Sequence, residues 1–317
     1  MLTFVIKRLL VIPLLLLLAS FVIFSLLYLA PGSPEATLLG GKQASPKAYE
    51  RVRAEYHLDD PFIEQYGRWL GRFASGDLGQ SIKFQDTAAN VIKPRIAPTL
   101  ELTFMATLLI MFAGVAIGML SALRAGGALD LGTSVGVLVA ASVPPAIMGL
   151  LLISVFAVEL GWLPALGLGE GGIDRLQHLI LPAVALAASA VALVARTTRI
   201  SMIRALGMEF VETARSRGLS GRSVVAKHAF RHALIPVVTI SGLIAGYLLS
   251  GAVIVEYTFG LNGLGGLLVD SVQSKDFAVV QAIALILVFA FLVINLIVDI
   301  LYALIDPRVR LQAGRKS

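Results

Sequence analysis

Charged residues interrupt this chain at long intervals, and between them run apolar stretches of bilayer length. Segments free of Asp, Glu, Lys and Arg extend over Leu9–Pro34, Leu102–Leu123, Leu131–Val158, Leu176–Ala195, His232–Val255 and Phe277–Val298. Each meets the roughly 20 apolar residues that a helix needs to cross the hydrocarbon core. None alternates with the period of two expected of barrel strands, and a helix satisfies its own backbone within lipid. The pattern predicts an all-α integral membrane protein with six transmembrane helices. The first run is longer than the roughly 7–15-residue apolar region of a signal peptide, so it is read as a retained anchor.

The loops assign the two faces. Between the fourth and fifth runs lie Arg196, Arg199, Arg204, Arg215, Arg217, Arg222, Lys227 and Arg231, against only Glu209 and Glu212. Lys7 and Arg8 precede the first run, and Arg308, Arg310, Arg315 and Lys316 follow the last. Six crossings put these three regions on one side, which the positive-inside rule makes cytoplasmic. The short loop with Arg124 falls on that side too, whereas Glu159–Gln177 and Glu256–Asp276 are poor in Lys and Arg. The expected organisation is a first helix over 1–30, an extracytoplasmic helical cap over 31–98, five helices over 99–305 and a cytoplasmic tail over 306–317. Within the cap, short helices are predicted over Pro46–Tyr56 and Pro61–Phe73.

Composition agrees. The 317 residues are 57% hydrophobic and 15% charged, with a mean hydropathy of +0.86, where soluble domains run near ~45–50% and ~25%. The net charge of +6 reflects orientation and does not call for nucleic acid. The absence of cysteine excludes disulfides, thiolate metal sites and a cysteine nucleophile.

The segment with most chemical content is Met208–Thr239, within the cytoplasmic loop 196–236. Phe210, Val211 and Ala214 form an apolar ridge flanked by Glu209, Glu212, Arg215 and Arg217. Gly218 can take the positive φ that ends a helix, and Ser220 can cap the next. Helix, glycine turn and helix predict a rigid protrusion with an apolar tip and charged flanks, suited to docking on another protein. A solvated basic loop is the bland alternative.

Glu212-Thr213-Ala214 with Gly218 resembles the EAA loop of ABC import permeases. The whole chain resembles the B-type permease of the dipeptide/oligopeptide/nickel importer family. The resemblance rests on Lys7-Arg8-Leu9-Leu10, Ala30-Pro31-Gly32-Ser33-Pro34, Gly76-Asp77-Leu78-Gly79-Gln80-Ser81, Trp162-Leu163-Pro164-Ala165, Leu179-Ile180-Leu181-Pro182-Ala183, Arg217-Gly218-Leu219-Ser220, Asn295-Leu296-Ile297-Val298-Asp299 and Asp306-Pro307-Arg308, in that order. Three places depart from the family's pattern. His228-Ala229-Phe230-Arg231 stands where Ile-x-Leu-Pro closes the general motif, with the proline later, at Pro236. Asn262-Gly263-Leu264-Gly265-Gly266 stands for the usual Pro-Gly-Leu-Gly-Arg, and Ser142-Val143-Pro144-Pro145-Ala146 for Ser-x-Pro-x-Phe.

The resemblance implies a subunit of the bacterial inner membrane that forms half of a translocation pathway. It implies a second, C-type permease, two ATP-binding cassette ATPases and an extracytoplasmic binding protein as partners. No GxxxxGK[ST] occurs in the sequence, so the expectation is that ATP and Mg are bound by the partners and that this chain holds no cofactor. Glu209–Gly218 would be the coupling helix seated in one ATPase. The implied substrate is a di- or oligopeptide, with nickel or a metal chelate as the alternative.

Other residues suggest a pathway or gate. Gly242 and Gly246, followed by Ser250, give a smooth face on the fifth run, as Gly114 and Gly118 do on the second. Pathway lining and ordinary packing are both open for them. Pro144 and Pro145 must interrupt the third run, as a hinge or as packing. Glu256 and Asp299 are acids at the ends of apolar runs, and Glu256 is a gate candidate with Asn262. His228 and His232 share a helix face, but Ala229 and the want of a third ligand favour a structural role over zinc. A membrane enzyme would need clustered acids or a nucleophile with its base, and a channel would need filter loops or rings of charge. The sequence displays neither.

Overall fold

A computed structural model of the chain describes residues 2–29, 32–39 and 45–305. The tail at 306–317, with Asp306-Pro307-Arg308, and Ala30-Pro31 lie outside the described residues. Five helices are long and apolar enough to cross a bilayer: α1 (Leu2–Leu29), α5 (Ala88–Leu123), α8 (Gly172–Leu206), α11 (Phe230–Thr258) and α13 (Phe277–Ile305). Between α1 and α5 come α2 (Pro34–Leu38), α3 (Pro46–Glu55) and α4 (Phe62–Ala74).

The third apolar run is not one helix. It divides into α6 (Ala128–Ser142) and α7 (Pro145–Leu152), the latter continuing as a π-helical stretch to Glu159, and the two parts meet at 106°. Proline explains the break. Pro144 and Pro145 lack amide donors, and Val143 before them is extended, with φ −90° and ψ 122°. Pro145 then stands at the first position of α7, where its missing N–H costs nothing.

Helix directions follow from a few contacts. Arg175 of α8 pairs with Glu101 of α5 at 2.5 Å, while Gly118 further along α5 lies against Ala195 and Thr198 of α8. These two helices therefore run parallel, and the α6–α7 segment between them must carry the chain from one end of the bundle to the other. Met202 and Ala205 near the end of α8 pack on Ala229, just before α11, and on Ala233 in its first turn, so α11 returns antiparallel. Gly242 and Gly246 of α11 lie against Val298 and Phe291 of α13, and Arg8 of α1 pairs with Asp299 of α13 at 3.0 Å. The start of α1 and the end of α13 thus share an end with the α8–α11 connection.

The buried core runs between α5, α8 and α11 and includes Leu102, Ile110, Leu186, Val194, Val237 and Phe259. Outward-facing residues are largely apolar: Leu10, Phe104, Phe112, Leu131, Leu150 and Tyr247 are all exposed. Such a surface is suited to lipid or to another apolar subunit and not to water. Helix contact in lipid cannot rely on expelling water, so small residues bring backbones close. A Cβ at Gly118 would meet the carbonyl of Ala195, and one at Gly242 the side chain of Val298.

Two extents differ from the sequence reading. α5 begins at Ala88, capped by Thr87, well before Leu102; the charge-free criterion finds the lipid-embedded part and misses turns bearing Lys93, Arg95 and Glu101. Glu256–Asp276 is not simply a loop, because it contains α12 (Leu264–Gln273). Leu264, Leu267 and Ser271 recur at helical spacing and are buried, with Leu264 and Leu267 in a cluster with Val91, Ile92 and Ile283.

Candidate functional site

At the end shared by the first and last helices, α8 stops at Leu206 and Gly207, and α9 (Glu209–Ser216) follows. Gly218 has φ +79°, the left-handed conformation that turns the chain after α9. Ser220 then caps the single turn α10 (Gly221–Ser223), its hydroxyl accepting from the Ser223 amide. A π-helical stretch, Val224–Ala229, joins α10 to α11 without a break.

The apolar ridge predicted as a docking tip faces inward instead. Val211 and Ala214 are buried against Val224, with Phe210 half-buried beside them. The Phe210 ring also lies 4.6 Å from that of His232, which gives this histidine a packing role. A helix of eight residues has too little apolar surface to hold itself in place and also present a tip. What α9 presents outward is polar: Glu209, Glu212, Thr213, Arg215, Arg217 and Gly218 are exposed, with Leu219 beyond the turn. The result is a short helix fixed by its apolar face and offering alternating charge to a partner.

The pathway candidates separate into two groups. Gly242 and Gly246 are buried, and their faces are filled by Val298, Phe291 and Asn295 of α13, so this pair packs within the chain. Ser250, Asn262 and Pro144 are exposed, and Pro145 is half-buried at the bend. Ser250 belongs to an outward stripe of α11 with Leu243, Tyr247, Ile254 and Tyr257.

Glu256 is fully buried and caps α12. Its Oε2 accepts from the amides of Gly265 at 2.7 Å and Gly266 at 3.2 Å, while the Leu264 amide donates to Thr99 Oγ1 of α5 at 2.8 Å. Three otherwise orphaned donors of the first turn are thereby satisfied by two other helices. This contact explains the glycines after Asn262. A Cβ at Gly263 would strike the Glu256 carboxylate, and one at Gly265 the backbone of Val253. Nearby, the Phe259 ring occupies the space left by Gly149 of α7, and the Gly167 amide donates to the Phe259 carbonyl at 3.0 Å. The Gly79-Gln80-Ser81 segment also docks here, Ser81 donating to the buried Asp276 and the Lys83 amide adding a bond of 3.2 Å.

Sequence reasoning missed a polar cluster at the α9 end. Asp130, buried in the first turn of α6, accepts from Arg199 of α8 at 2.6 and 2.7 Å, from the Gly126 amide at 2.9 Å and from Ser121 of α5. Arg199 entered only a count of basic residues. The available signal was an acid standing between two apolar runs, opposite a loop crowded with arginine.

Comparison with known proteins adds the following. Residues 114–311 match the family described as binding-protein-dependent transport system inner membrane component, and residues 1–103 match its N-terminal family. The glutathione transport system permease protein GsiC of Escherichia coli (strain K12) is 40% identical over 310 residues, covering 98% of this chain and 99% of that protein. The protein of the same name from Shigella flexneri serotype 5b is also 40% identical over 310 residues. Among solved structures, the inward-facing MetNI methionine ABC transporter superposes with a TM-score of 0.55 at 18% identity, covering 68% of this chain and 96% of that one. At that identity the likeness concerns the fold alone.

Proposed function

Because this chain belongs to the family of binding-protein-dependent transport system inner membrane components, we propose that it forms half of the pathway of an importer for small peptides, with α9 as its coupling helix. It is a multi-pass inner-membrane subunit of a peptide-type ABC importer. In this reading the chain crosses the membrane six times, α6 and α7 together making one crossing, with both termini and α9 in the cytoplasm. The positive-inside asymmetry supports that orientation. Residues 31–98 then form a small extracytoplasmic cap, its α4 laid against α1 through Phe62, Tyr66 and Trp69.

The observation that carries the mechanism is α9 itself, a helix seated by Val211 and Ala214 whose charged side chains are exposed and, among the described residues, make no ion pair. Glu209, Glu212, Arg215 and Arg217 would enter a groove of one partner ATPase, with Phe210, Ala214 and Gly218 fixing the shape. ATP binding and hydrolysis belong to the two ATPases. Their closure would drive α9 as a lever and rock this subunit against a homologous permease, exposing the pathway alternately to each side. Pro144, Pro145, Ser250 and Asn262 remain the proposed pathway and gate positions, and Glu256 shapes the gate from behind by fixing α12. A binding protein outside would deliver the substrate. The 40% identity to glutathione permeases supports a small peptide over nickel or a metal chelate.

The test is uptake by the reconstituted four-subunit complex with its binding protein, supplied with labelled glutathione, dipeptides or nickel. A Gly218→Pro variant cannot adopt φ +79°. It should insert and assemble yet lose ATP-driven uptake by about tenfold or more. Uptake equal to wild type would remove α9 from the mechanism.

A further inference from the structure

α6 is apolar apart from Asp130, Thr133 and two serines, and Asp130 is its one buried residue. A groove of about 480 Å³ separates it from α5 and α8, lined by Ile117, Thr133, Val137 and Leu193 with Arg196 and Arg199 at one end. A second cavity of about 380 Å³, touching Leu109, Ala140 and Ala188, lies beside it and shares Thr133 and Val137. Beyond Ser142 the chain bends by 106°, and α7 is fastened elsewhere, through Gly149 on Phe259. Among the described residues the polar attachment of α6 to the neighbouring helices is at its first turn, where Asp130 accepts from Nε and Nη2 of Arg199 and from the Ser121 hydroxyl.

Arg199 stands on the part of the molecule that α9 would move. One turn further along α8, Met202 and Ala205 pack on Ala229 and Ala233, and the π-helical stretch ending at Ala229 holds Val224, on which Val211 and Ala214 of α9 rest. These contacts are apolar, buried and continuous, so the end of α8, α9 and the start of α11 form one packed unit.

We propose that Asp130 and Arg199 are positioning residues for transport, a clasp through which displacement of α9 reaches α6 and swings it about the Val143–Pro144 break. The proposal rests on the reading of α9 as the ATPase-docking helix. A bidentate Arg–carboxylate pair fixes orientation as well as distance, which a point-charge lysine does not reproduce. The groove supplies the room for α6 to move, and the extended backbone at Val143 supplies the joint.

The experiment uses the complete complex in proteoliposomes and measures ATP hydrolysis and uptake together, normalised to assembled complex. D130N should retain ATP hydrolysis while uptake per ATP falls about tenfold. R199K should shift the same ratio in the same direction, and the exchange D130R/R199D should recover part of it. Spin labels are easily placed because the chain has no cysteine. Labels at Leu138→Cys on α6 and Leu193→Cys on α8 should report a distance that changes on ATP addition with the clasp intact and does not follow ATP in D130N. Wild-type uptake per ATP in assembled D130N, or an ATP-dependent distance change that D130N leaves untouched, would overturn the proposal. Should D130N not assemble, R199K carries both readouts. If wild type shows no ATP-driven uptake, the transport reading fails. The clasp is then judged by whether D130N broadens the α6–α8 distance, and an unchanged distribution would sink it as well.

Discussion

The two ends of the helix bundle are joined by different kinds of contact. At the α12 end, backbone amides supply many of the fixed points, beside the Arg175–Glu101 and Ser81–Asp276 side-chain pairs: the amides of Leu264, Gly265 and Gly266 close on Thr99 and Glu256, and the Gly167 amide closes on the Phe259 carbonyl. At the α9 end, α6 is tied to its neighbours chiefly by side chains, those of Asp130, Arg199 and Ser121. Contacts to backbone amides fix the path of the chain. A side-chain pair can turn or open without disturbing the hydrogen bonds of either helix. The broken span connects the two regimes, with α7 in the first and α6 in the second. If α9 docks on an ATPase as proposed, this asymmetry would leave one end fixed while movement passes through the other.

The sharpest way to break the contrast is Glu256→Ala. It leaves the amides of Gly265 and Gly266 buried without their acceptor, at about 1–3 kcal/mol for each unsatisfied group. The purified complex should lose thermal stability markedly, and Glu256→Gln, which keeps one acceptor oxygen, should lose less. Equal melting of all three proteins would mean that α12 is held by something other than this cap. Next in size is Gly118→Leu, in the α5–α8 seam common to both ends. Its side chain would run into the Ala195 carbonyl and Thr198, and overpacking of this kind costs about 1–3 kcal/mol. Less folded complex is expected, with unchanged uptake per ATP in what survives. A changed ratio would show that the seam itself takes part in the movement that the comparison reserves for α6.

Much of this was legible in the sequence because bilayer physics reduces to length and charge. Every apolar run corresponds to a helix or to the bent pair, the proline pair marks the break, and Gly218 has the positive φ assigned to it. The family was legible from the ordered series of motifs, and the comparisons bear it out. What the sequence could not supply was the partner of each face. Phe210, Val211 and Ala214 read as a ridge, but only the fold shows that Val224 covers it. Glu256 read as an acid at a membrane boundary, but its role depends on amides 9 and 10 residues away that return to meet it. Asp130 and Arg199 are 69 positions apart, and no local pattern links them.

The smallest expected effect concerns a further side-chain pair on the far side of the contrast. α2 and α3 lie in the proposed cap, yet they are joined by a side-chain pair: Arg53 donates to the buried Glu35 at 2.7 and 3.0 Å. The Glu35 carboxyl is held below the usual glutamate range, first by its own backbone amide and then by the Arg53 guanidinium. A carboxylate whose pKa is lower folded than unfolded adds stability that is complete above the ordinary value of about 4.3 and is lost as pH falls through the lowered one. Arg53 is half exposed, so solvent screens the pair and the effect is local. Amide protection across α2 and α3, taken relative to the intrinsic exchange rate at each pH, should therefore fall on acidification below that range while α5 and α8 stay protected. In Glu35→Gln the same protection should be lower already at neutral pH and nearly independent of acid. If wild type and Glu35→Gln respond alike, α2 and α3 are held by their apolar contacts and not by this pair.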